Sequence, residues 1–364
     1  MHALFLTDTI FALRERALLS RLEVGLADEG VRITLVAPHE ATSRMDLNIL
    51  AEPVRYHAGR FALTRRMRAA RLAEQISAQS DMDGGAQIIH VFGGGAWSLG
   101  VELAKLWDAA LVLEVWRASL ADRARSIAGQ LRDRCVLASP DPSIERAILR
   151  DGGGAIARLT PWGARSEGDS DHLLRDGRNR AIMMVGVGRD TAAYANAFDG
   201  VASAIEANPE VMVFIDSEAA VRAGLWERAQ RLGVRENISL IDAMEDRRDL
   251  VLRGDIIVYP EARGEHRTII LDAMASGMGV IATEDPFVSS LIDGRTARLL
   301  PQGATAAQWG ETLASLLHDP ERTRALGASA RAYVREKHRV SSHVAAVLDV
   351  YEWATQRALP FRAG

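Results

Sequence analysis

The stretch from Asp255 to Ala282, DIIVYPEARGEHRTIILDAMASGMGVIA, decides the fold. Its first part, Ile256–Tyr259, is a short apolar run typical of a buried parallel strand. A polar loop follows, and Thr268 stands where an N-cap would begin the apolar helical stretch Ile269–Ala275. A second apolar run, Val280–Ala282, comes directly after the helix. Strand, loop, helix and strand in this order predict one βαβ unit of an α/β layer.

The loop before Thr268 also has the properties of an anion site. The free backbone N–H groups of the helix start and the positive end of the helix dipole would face this loop. The small residues Ala273, Ala275 and Ser276 would let the helix lie close against the sheet. The alternative is that these are the packing residues of an ordinary α/β crossover.

The same alternation of apolar runs and helical stretches extends over the rest of the chain. The predicted strands of the first half are 3–6, Ile33–Ala37, Ile88–Phe92, Leu111–Val115, Cys135–Ala138 and Ile156–Leu159. Those of the second half are Ile182–Val185, Val211–Ile215, Ile238–Ile241, Ile256–Tyr259 and Val280–Ala282. Helices are predicted at 14–29, 194–206, 219–232, 268–276, 305–318, 320–337 and 341–357. Parallel α/β sheets are the expected fold class.

The chain length of 364 residues favours two domains. The polar, Gly- and Ser-rich stretch 166–180 is the predicted linker between an N-terminal domain, 1–165, and a C-terminal domain, 181–340. The last segment, 341–364, follows a strand series that is already complete. It is predicted to pack back on the N-terminal domain.

Composition excludes several classes of protein. Hydrophobic residues make up 48% of the chain, which excludes long disorder, and a net charge of −4 argues against a nucleic-acid partner. The single cysteine, Cys135, fits a reducing cytoplasm, and the His and Cys spacing predicts no metal site. No apolar run reaches the length of a membrane-spanning helix.

The stretch Asp255–Ala282 resembles the nucleotide-sugar-binding segment of the retaining glycosyltransferases of family 4, also called glycosyl transferases group 1. Val185–Arg189 resembles the strand and Gly-Arg pair that open the family's C-terminal domain. The remaining similar segments are Arg231–Ile241, Glu284–Leu300, His318–Tyr333 and Tyr351–Trp353. The resemblance implies a GT-B fold, in which two Rossmann-like domains face each other across a cleft. It also implies sugar transfer from a nucleotide diphosphate sugar, with retention and without an obligatory metal or other cofactor.

The resemblance assigns roles to particular residues. Gly188, Arg189 and the helix start, Arg267, Thr268 and Ile269, would hold the diphosphate. Asp272 would bind the nucleotide ribose and Glu265 the donor sugar. Arg189 and Glu265 are therefore the predicted catalytic residues, acting by charge stabilisation and positioning.

Several positions depart from the family pattern. The family has two glutamates eight residues apart, where this chain has Gly264 and Asp272, and the nearest carboxylate to the first is Glu265. Tyr194 stands where the family has a lysine that neutralises the diphosphate. Arg263 and Arg267 are the predicted substitutes, and the alternative is that both are solvated arginines.

The N-terminal half agrees with the family only in the order of its elements. Its first loop has no glycine, and Trp116 follows the strand where the family has a histidine. The loop Gly93, Gly94, Gly95 is a candidate cleft loop, since it joins a strand to a helix, and a plain turn is the alternative. His90 lies within a predicted strand, which favours a buried histidine with satisfied hydrogen bonds.

The arginine-rich stretch 55–71 predicts a basic amphipathic helix. Such a helix either contacts an anionic membrane at the inner face or forms a solvated surface. For the whole chain, the sequence predicts a cytoplasmic glycosyltransferase. Two alternatives remain: a GT-B pseudoenzyme that serves as a binding or scaffolding module, and a sugar-phosphate epimerase. A cationic group opposite the start of the Thr268 helix would favour the transferase over the pseudoenzyme.

Overall fold

The structure is a computed structural model that describes residues 1–42, 52–58, 64–79, 85–150, 154–166, 174 and 179–357. The chain forms two compact units. Unit 1 consists of Met1–Gly163, Gly264–His266 and Val340–Gly364, and unit 2 of Ala164–Arg263 and Arg267–Arg339. Most of the predicted linker, 166–180, lies outside the described residues.

Unit 1 contains a seven-stranded parallel sheet in the order β3-β2-β1-β4-β5-β6-β7. The strands are β1 (His2–Thr7), β2 (Arg32–Pro38), β3 (Val54–Tyr56), β4 (Ile88–Phe92), β5 (Ala110–Glu114), β6 (Cys135–Ser139) and β7 (Ile156–Leu159). The helices are α1 (Thr9–Arg14), α2 (Arg16–Asp28), α3 (His39–Thr42), α4 (Arg65–Gln79), α5 (Trp97–Trp107), α6 (Ala121–Leu131) and α7 (Pro142–Leu149). The strand order reverses between β1 and β4, which makes this pair the switch point of the sheet.

Unit 2 contains a six-stranded parallel sheet in the order β10-β9-β8-β11-β12-β13. The strands are β8 (Ala181–Met184), β9 (Met212–Asp216), β10 (Ile238–Ile241), β11 (Ile256–Tyr259), β12 (Gly279–Thr283) and β13 (Arg298–Leu300). The helices are α8 (Thr191–Ala207), α9 (Ser217–Arg222), α10 (Leu225–Arg231), α11 (Arg248–Val251), α12 (Thr268–Ser276), α13 (Ala306–His318) and α14 (Pro320–Lys337). Here the order reverses between β8 and β11.

The central strands are buried along their whole length because helices cover both faces of a parallel sheet. Every residue of β4, β5, β6 and β11 is buried. In unit 2 the core joins strand residues such as Val213 and Val258 to helix residues such as Phe198, Trp309 and Leu313. The predicted fold class, two parallel α/β sheets, is confirmed.

The last helix, α15 (Val340–Arg357), belongs to unit 1. It packs against α2, and its Tyr351 is completely buried. The Tyr351 hydroxyl is hydrogen-bonded to His90 Nδ1 at 2.9 Å. The apolar face formed by Val344, Val347 and Tyr351 therefore joins the end of the chain to its first sheet.

The prediction of one helix over 55–71 is wrong. Val54–Tyr56 is a strand paired with β2, and α4 begins only at Arg65. The alternation of buried Val54, exposed Arg55 and half-buried Tyr56 is a strand pattern that the neighbouring arginines obscure. Residues 59–63 lie outside the described residues.

Other helices and strands differ from the predicted bounds for local reasons. The predicted helix 14–29 corresponds to α2, which begins at Arg16, and the short helix α1 that precedes Glu15 was not predicted. The predicted helix 219–232 is two helices, α9 and α10, because Gly224 has a left-handed conformation between them. The short edge strand β13 carries no strand signal of its own and was not predicted.

Candidate functional site

The loop after β8 is held by a buried carboxylate of unit 2. Glu261 follows β11 and is 1% exposed. Its Oε2 accepts a hydrogen bond from the Val187 N–H at 2.7 Å, and its Oε1 accepts from the N–H groups of Arg189 and Asp190 at 2.8 and 3.1 Å. This carboxylate therefore joins the ends of β8 and β11 at the switch point of the sheet.

The close approach of Glu261 explains the glycine at position 186. A Cβ on Gly186 would lie 2.7 Å from Glu261 Oε2, and the residue has a φ of +131°. Gly188 is also required by packing, because its Cβ would lie 2.8 Å from the Cα and carbonyl oxygen of Ala219. The glycine of the Gly188–Arg189 pair is therefore required by packing, independently of the predicted role of the pair in binding the diphosphate.

Tyr194, at the position of the family's lysine, is completely buried. Burial, together with the charge of Glu261, raises the pKa of its phenol well above the ordinary value. The charges of Asp216 and Arg267 also act on this phenol. Tyr194 therefore stays neutral and supplies no positive charge at the position of the family's lysine.

The helix α12 begins at Thr268, with Arg267 as its N-cap residue. Thr268 is the first helical residue and not the N-cap that the sequence predicts. Arg267, Thr268, Ile269 and Asp272 are all buried. The helix start thus presents Arg267 and Thr268 together next to the loop that follows β11.

Arg248 is a candidate site residue that sequence reasoning missed. It begins α11, and its guanidinium donates one hydrogen bond to the Thr268 hydroxyl at 2.7 Å and another to the Asp272 carboxylate. Its side chain is 11% exposed. A cationic group therefore lies at the start of α12. The only sequence signal for it is its place in the charged segment between β10 and β11, which no motif distinguishes.

The other arginines of this edge of the sheet differ in exposure. Arg189 and Arg263 are exposed, whereas Arg267 is 4% exposed. Arg222, on α9, donates a hydrogen bond to the Val187 carbonyl at 2.9 Å. Four arginines therefore lie in or contact the segments that follow β8 and β11, namely Arg189, Arg222, Arg248 and Arg267. Glu218, Glu261 and Asp272 carry the opposing negative charges.

Glu265, predicted to bind the donor sugar, groups with unit 1. It is 3% exposed and forms ion pairs with Arg117 at 3.1 Å and Arg14 at 3.6 Å. The backbone carbonyl of Gly264 accepts a hydrogen bond from the Ala118 N–H. Glu265 is therefore grouped with unit 1, whereas Arg189 and Asp272 belong to unit 2. Its role as a sugar ligand stays a prediction.

A buried polar network fills the place where the family pattern has its histidine. His90 lies 3.3 Å from the carboxylate of Glu114, which also accepts a hydrogen bond from the Trp162 indole at 2.7 Å. Desolvation lowers the pKa of His90 despite the nearby Glu114. The prediction that His90 is buried with satisfied hydrogen bonds is confirmed. Trp116, two residues after the end of β5, is also buried.

The loop Gly93, Gly94, Gly95 joins β4 to α5 in unit 1. The Gly95 N–H donates a 2.8 Å hydrogen bond to Asp8 Oδ2, and Asp8 Oδ1 accepts from the Phe11 N–H at the start of α1. Asp8 also lines a pocket of about 470 Å³. Burial raises the pKa of the Asp8 carboxyl. A role for the glycine loop in ligand binding stays a prediction.

Among the described residues, no group of three or more His, Cys, Asp or Glu side chains could hold a metal ion. No helix within the described ranges is long and apolar enough to cross a membrane. Membrane contact through 55–71 stays a prediction.

The comparison of folds extends over nearly the whole chain. Sucrose-phosphate synthase from Thermosynechococcus elongatus matches 97% of this chain and 98% of its own, with a TM-score of 0.73 and 14% identity. Anabaena HepE in complex with UDP and glucose matches 97% and 99%, with the same TM-score and identity. This chain has the GT-B fold. The GT-B prediction is therefore confirmed.

Sequence comparison finds a match to a glycosyltransferase family over part of the C-terminal half of the chain. Residues 195–319 match the model for glycosyl transferases group 1, which confirms the predicted resemblance over this segment. Phosphatidyl-myo-inositol mannosyltransferase from Mycobacterium leprae is 31% identical over 144 residues, covering 37% of this chain and 38% of that protein. D-inositol 3-phosphate glycosyltransferase from Segniliparus rotundus is 24% identical over 198 residues, covering 53% and 41%. This GT-B chain thus matches about two fifths of each of these relatives.

Proposed function

We propose that this GT-B chain is a glycosyltransferase that takes a nucleotide diphosphate sugar as donor and retains the configuration of the transferred sugar. The observation that carries the proposal is the Arg248 guanidinium at the start of α12, hydrogen-bonded to Thr268 and Asp272. Departure of a nucleoside diphosphate places negative charge on the leaving group, and an enzyme has to stabilise that charge. The family match over residues 195–319 supports the same function.

The proposed division of roles follows the positions of the charges. Arg248 and Arg267, both at the helix start, would neutralise the diphosphate together with the N–H groups of the first turn of α12. Arg189 is exposed beside them and would bind the outer phosphate oxygens. As the bond between the sugar C1 and the diphosphate oxygen breaks, its electron pair stays on that oxygen. The arginines stabilise this charge.

Asp272 would accept hydrogen bonds from the two ribose hydroxyls. It already accepts a charged hydrogen bond from Arg248, so the arginine would orient the carboxylate while it contacts the phosphates. Glu265 would bind the donor sugar, with its ion pairs to Arg14 and Arg117 fixing the orientation of the carboxylate. No metal enters this proposal.

The test is nucleotide binding to the full-length chain, measured by calorimetry with UDP, GDP and ADP and with their sugar conjugates. Solved structures of HepE contain UDP and UDP-glucose, which makes UDP the first probe. We expect one base to bind, and Arg189→Gln and Asp272→Asn to weaken that binding about tenfold or more. Arg231→Gln is the matched control, since that side chain is exposed on α10 and has no proposed contact with the nucleotide. Absence of binding by every nucleotide would contradict the proposal and favour a binding or scaffolding module.

A further inference from the structure

One edge strand of the two sheets differs from the other three. The edges are β3 and β7 in unit 1 and β10 and β13 in unit 2. An edge strand presents unpaired backbone N–H and C=O groups, and proteins commonly protect it with a charged residue, a proline or a bulge. β3 contains Arg55, β7 contains Arg158 and β13 contains Arg298. β10, with the sequence Ile-Ser-Leu-Ile, contains neither a charged residue nor a proline.

The outer backbone edge of β10 is open. All four residues of the strand, Ile238–Ile241, pair with β9 on the inner side. Within the described part of the chain, no backbone group outside β9 forms a hydrogen bond with the backbone of β10. Backbone groups that are shielded from water need hydrogen-bond partners, so a surface that covers this edge has to supply them. A further strand supplies such partners at the spacing of the sheet.

Large apolar side chains are exposed around this edge. Leu240, within β10, is 39% exposed, and Val221 on α9 is 79% exposed. The helix α9 contacts both β9 and β10, so Val221 belongs to an element beside the edge. Five of the ten exposed large apolar side chains among the described residues fall between positions 221 and 250: Val221, Trp226, Leu232, Leu240 and Leu250. Clustering of this kind is typical of an interaction surface.

The charges at the two ends of β10 differ in sign. The segment before the strand carries the exposed Arg231 and Arg235 against one exposed acid, Glu236. The residue directly after the strand is the exposed Asp242. In an antiparallel pair of two such strands, the basic end of each copy meets the acidic end of the other. A parallel pair would bring the like-charged ends together. The edge is therefore complementary to a second copy of itself.

We propose that β10 pairs antiparallel with β10 of a second copy of this chain, so that the two unit 2 sheets form one continuous sheet. Residues that face each other in an antiparallel pair point to the same side of the sheet, so a two-fold symmetric pair has one residue opposite itself. Leu240 is the most exposed residue of the strand, and pairing it with its own copy buries both side chains. The interface lies in unit 2 and does not depend on the proposed glycosyltransferase activity.

The first test is the mass of the full-length chain in solution, measured by analytical ultracentrifugation over a concentration series up to about 0.1 mM. We expect the mass to rise with concentration from 39.6 kDa towards twice that value. Leu240→Lys places a charge on the open edge, and we expect it to weaken the association about tenfold or more. Leu149→Lys is the matched control, since Leu149 is 47% exposed on α7 in unit 1. A chain that stays a monomer throughout, or equal losses in the two variants, would overturn the proposal.

The second test is disulfide cross-linking, which reports the register of the pair. Facing residues of an antiparallel pair have Cα atoms about 4.5–5.5 Å apart, which a disulfide can span. We expect Leu240→Cys to form a disulfide-linked dimer under mild oxidation. Ser239→Cys is the matched control, because its side chain points to the other side of the sheet and its own copy does not face it.

The native cysteine does not interfere with this test. Cys135 is buried, and burial raises the pKa of its thiol to about 12. Linking of Leu240→Cys alone would support the pairing. Linking of Ser239→Cys at an equal or higher rate, or of neither variant, would overturn it.

Discussion

Both units tie the loops at their switch point together with one carboxylate, but the carboxylates come from opposite loops. In unit 1, Asp8 follows the first strand and accepts from the loop after β4. In unit 2, Glu261 follows β11 and accepts from the loop after the first strand of its sheet, β8. A glycine faces the carboxylate in each case, Gly93 and Gly186 respectively.

The two carboxylates, Glu261 and Asp8, differ in whether they can also contact a ligand. Glu261 is almost completely buried and accepts three backbone hydrogen bonds, so its role is to hold the loop that carries Arg189. Asp8 accepts two and also lines an open pocket, so it can contact a ligand. A buried carboxylate with all its partners inside the protein is a structural clamp, and one that borders a cavity is a clamp and a binding group.

The largest effect is expected for Glu261→Ala. The substitution leaves three N–H groups of the loop after β8 without their acceptor, and each such loss costs about 1–3 kcal/mol where the N–H group is shielded from water. We expect the free energy of unfolding to fall by about 3–5 kcal/mol, measured by urea unfolding. Glu218→Ala is the control, since its side chain is 61% exposed. If Glu261→Ala lowered the free energy of unfolding no more than the control does, the role of Glu261 in holding the loop would be contradicted.

The next largest effect is expected for Arg248→Gln, which should weaken the binding of UDP. We expect the affinity for UDP to fall ten- to a hundredfold, because a hydrogen bond to a charged group is worth about 1.5–3 kcal/mol. Arg253→Gln, an exposed arginine after α11, should bind UDP normally.

The double variant Arg248→Gln with Asp272→Asn separates two causes of that loss. If the unpaired Asp272 carboxylate were the cause, the double variant would recover the affinity. We expect it to remain weak, because both residues are proposed to contact the nucleotide. Recovery would contradict the role of Arg248 as a phosphate ligand.

The Asp8 clamp should be weaker than the Glu261 clamp. Asp8→Ala removes the N-cap of α1 and the acceptor of the Gly95 N–H, and we expect a loss of about 1–2 kcal/mol in the free energy of unfolding. Water from the pocket can replace part of the lost bonds. If Asp8→Ala destabilised the chain as much as Glu261→Ala, the contrast between the two clamps would be wrong.

The smallest effect concerns a carboxylate that is buried without such a clamp. Burial raises the pKa of Glu23, on α2, to about 7 from an ordinary value of 4.5. The folded chain therefore holds a proton that the unfolded chain releases, and this contribution is complete below about pH 4.5 and is lost as the pH rises to about 7. Relative to Glu23→Gln, we expect the wild type to lose about 1 kcal/mol of stability between pH 6 and pH 7.5. If the free energy of unfolding of the wild type and of Glu23→Gln depended on pH in the same way, the raised pKa of Glu23 would be contradicted.

Much of the fold could be predicted because its signals are local. The strand Ile256–Tyr259 and the helix 268–276 were predicted residue for residue, since an apolar run, a polar loop and a glycine stop lie within one continuous segment. The strand Val54–Tyr56 was missed because its arginines and its single alternation give a weak pattern. The long stretches of apolar periodicity were reliable, and the edge strands were not.

The site was harder to predict than the fold. The resemblance pointed to Asp272 and Thr268, which do lie at the start of α12, but not to Arg248, which reaches them from another segment of the chain. Glu261 was not singled out, because a glutamate after a strand carries no sign of the three N–H groups it will accept. Contacts between distant segments depend on the packed structure, and one sequence does not encode them as a motif.

The most direct test of the donor site is hydrogen–deuterium exchange of the full-length chain with and without saturating UDP. The account predicts slower exchange in two segments of unit 2, the loop 186–190 and the helix start 267–272, with unit 1 peptides around Asp8 and Gly95 unchanged. Protection confined to unit 1, or protection that persists in the Arg248→Gln variant at equal UDP concentration, would contradict the central claim that Arg248 and the start of α12 bind the nucleotide.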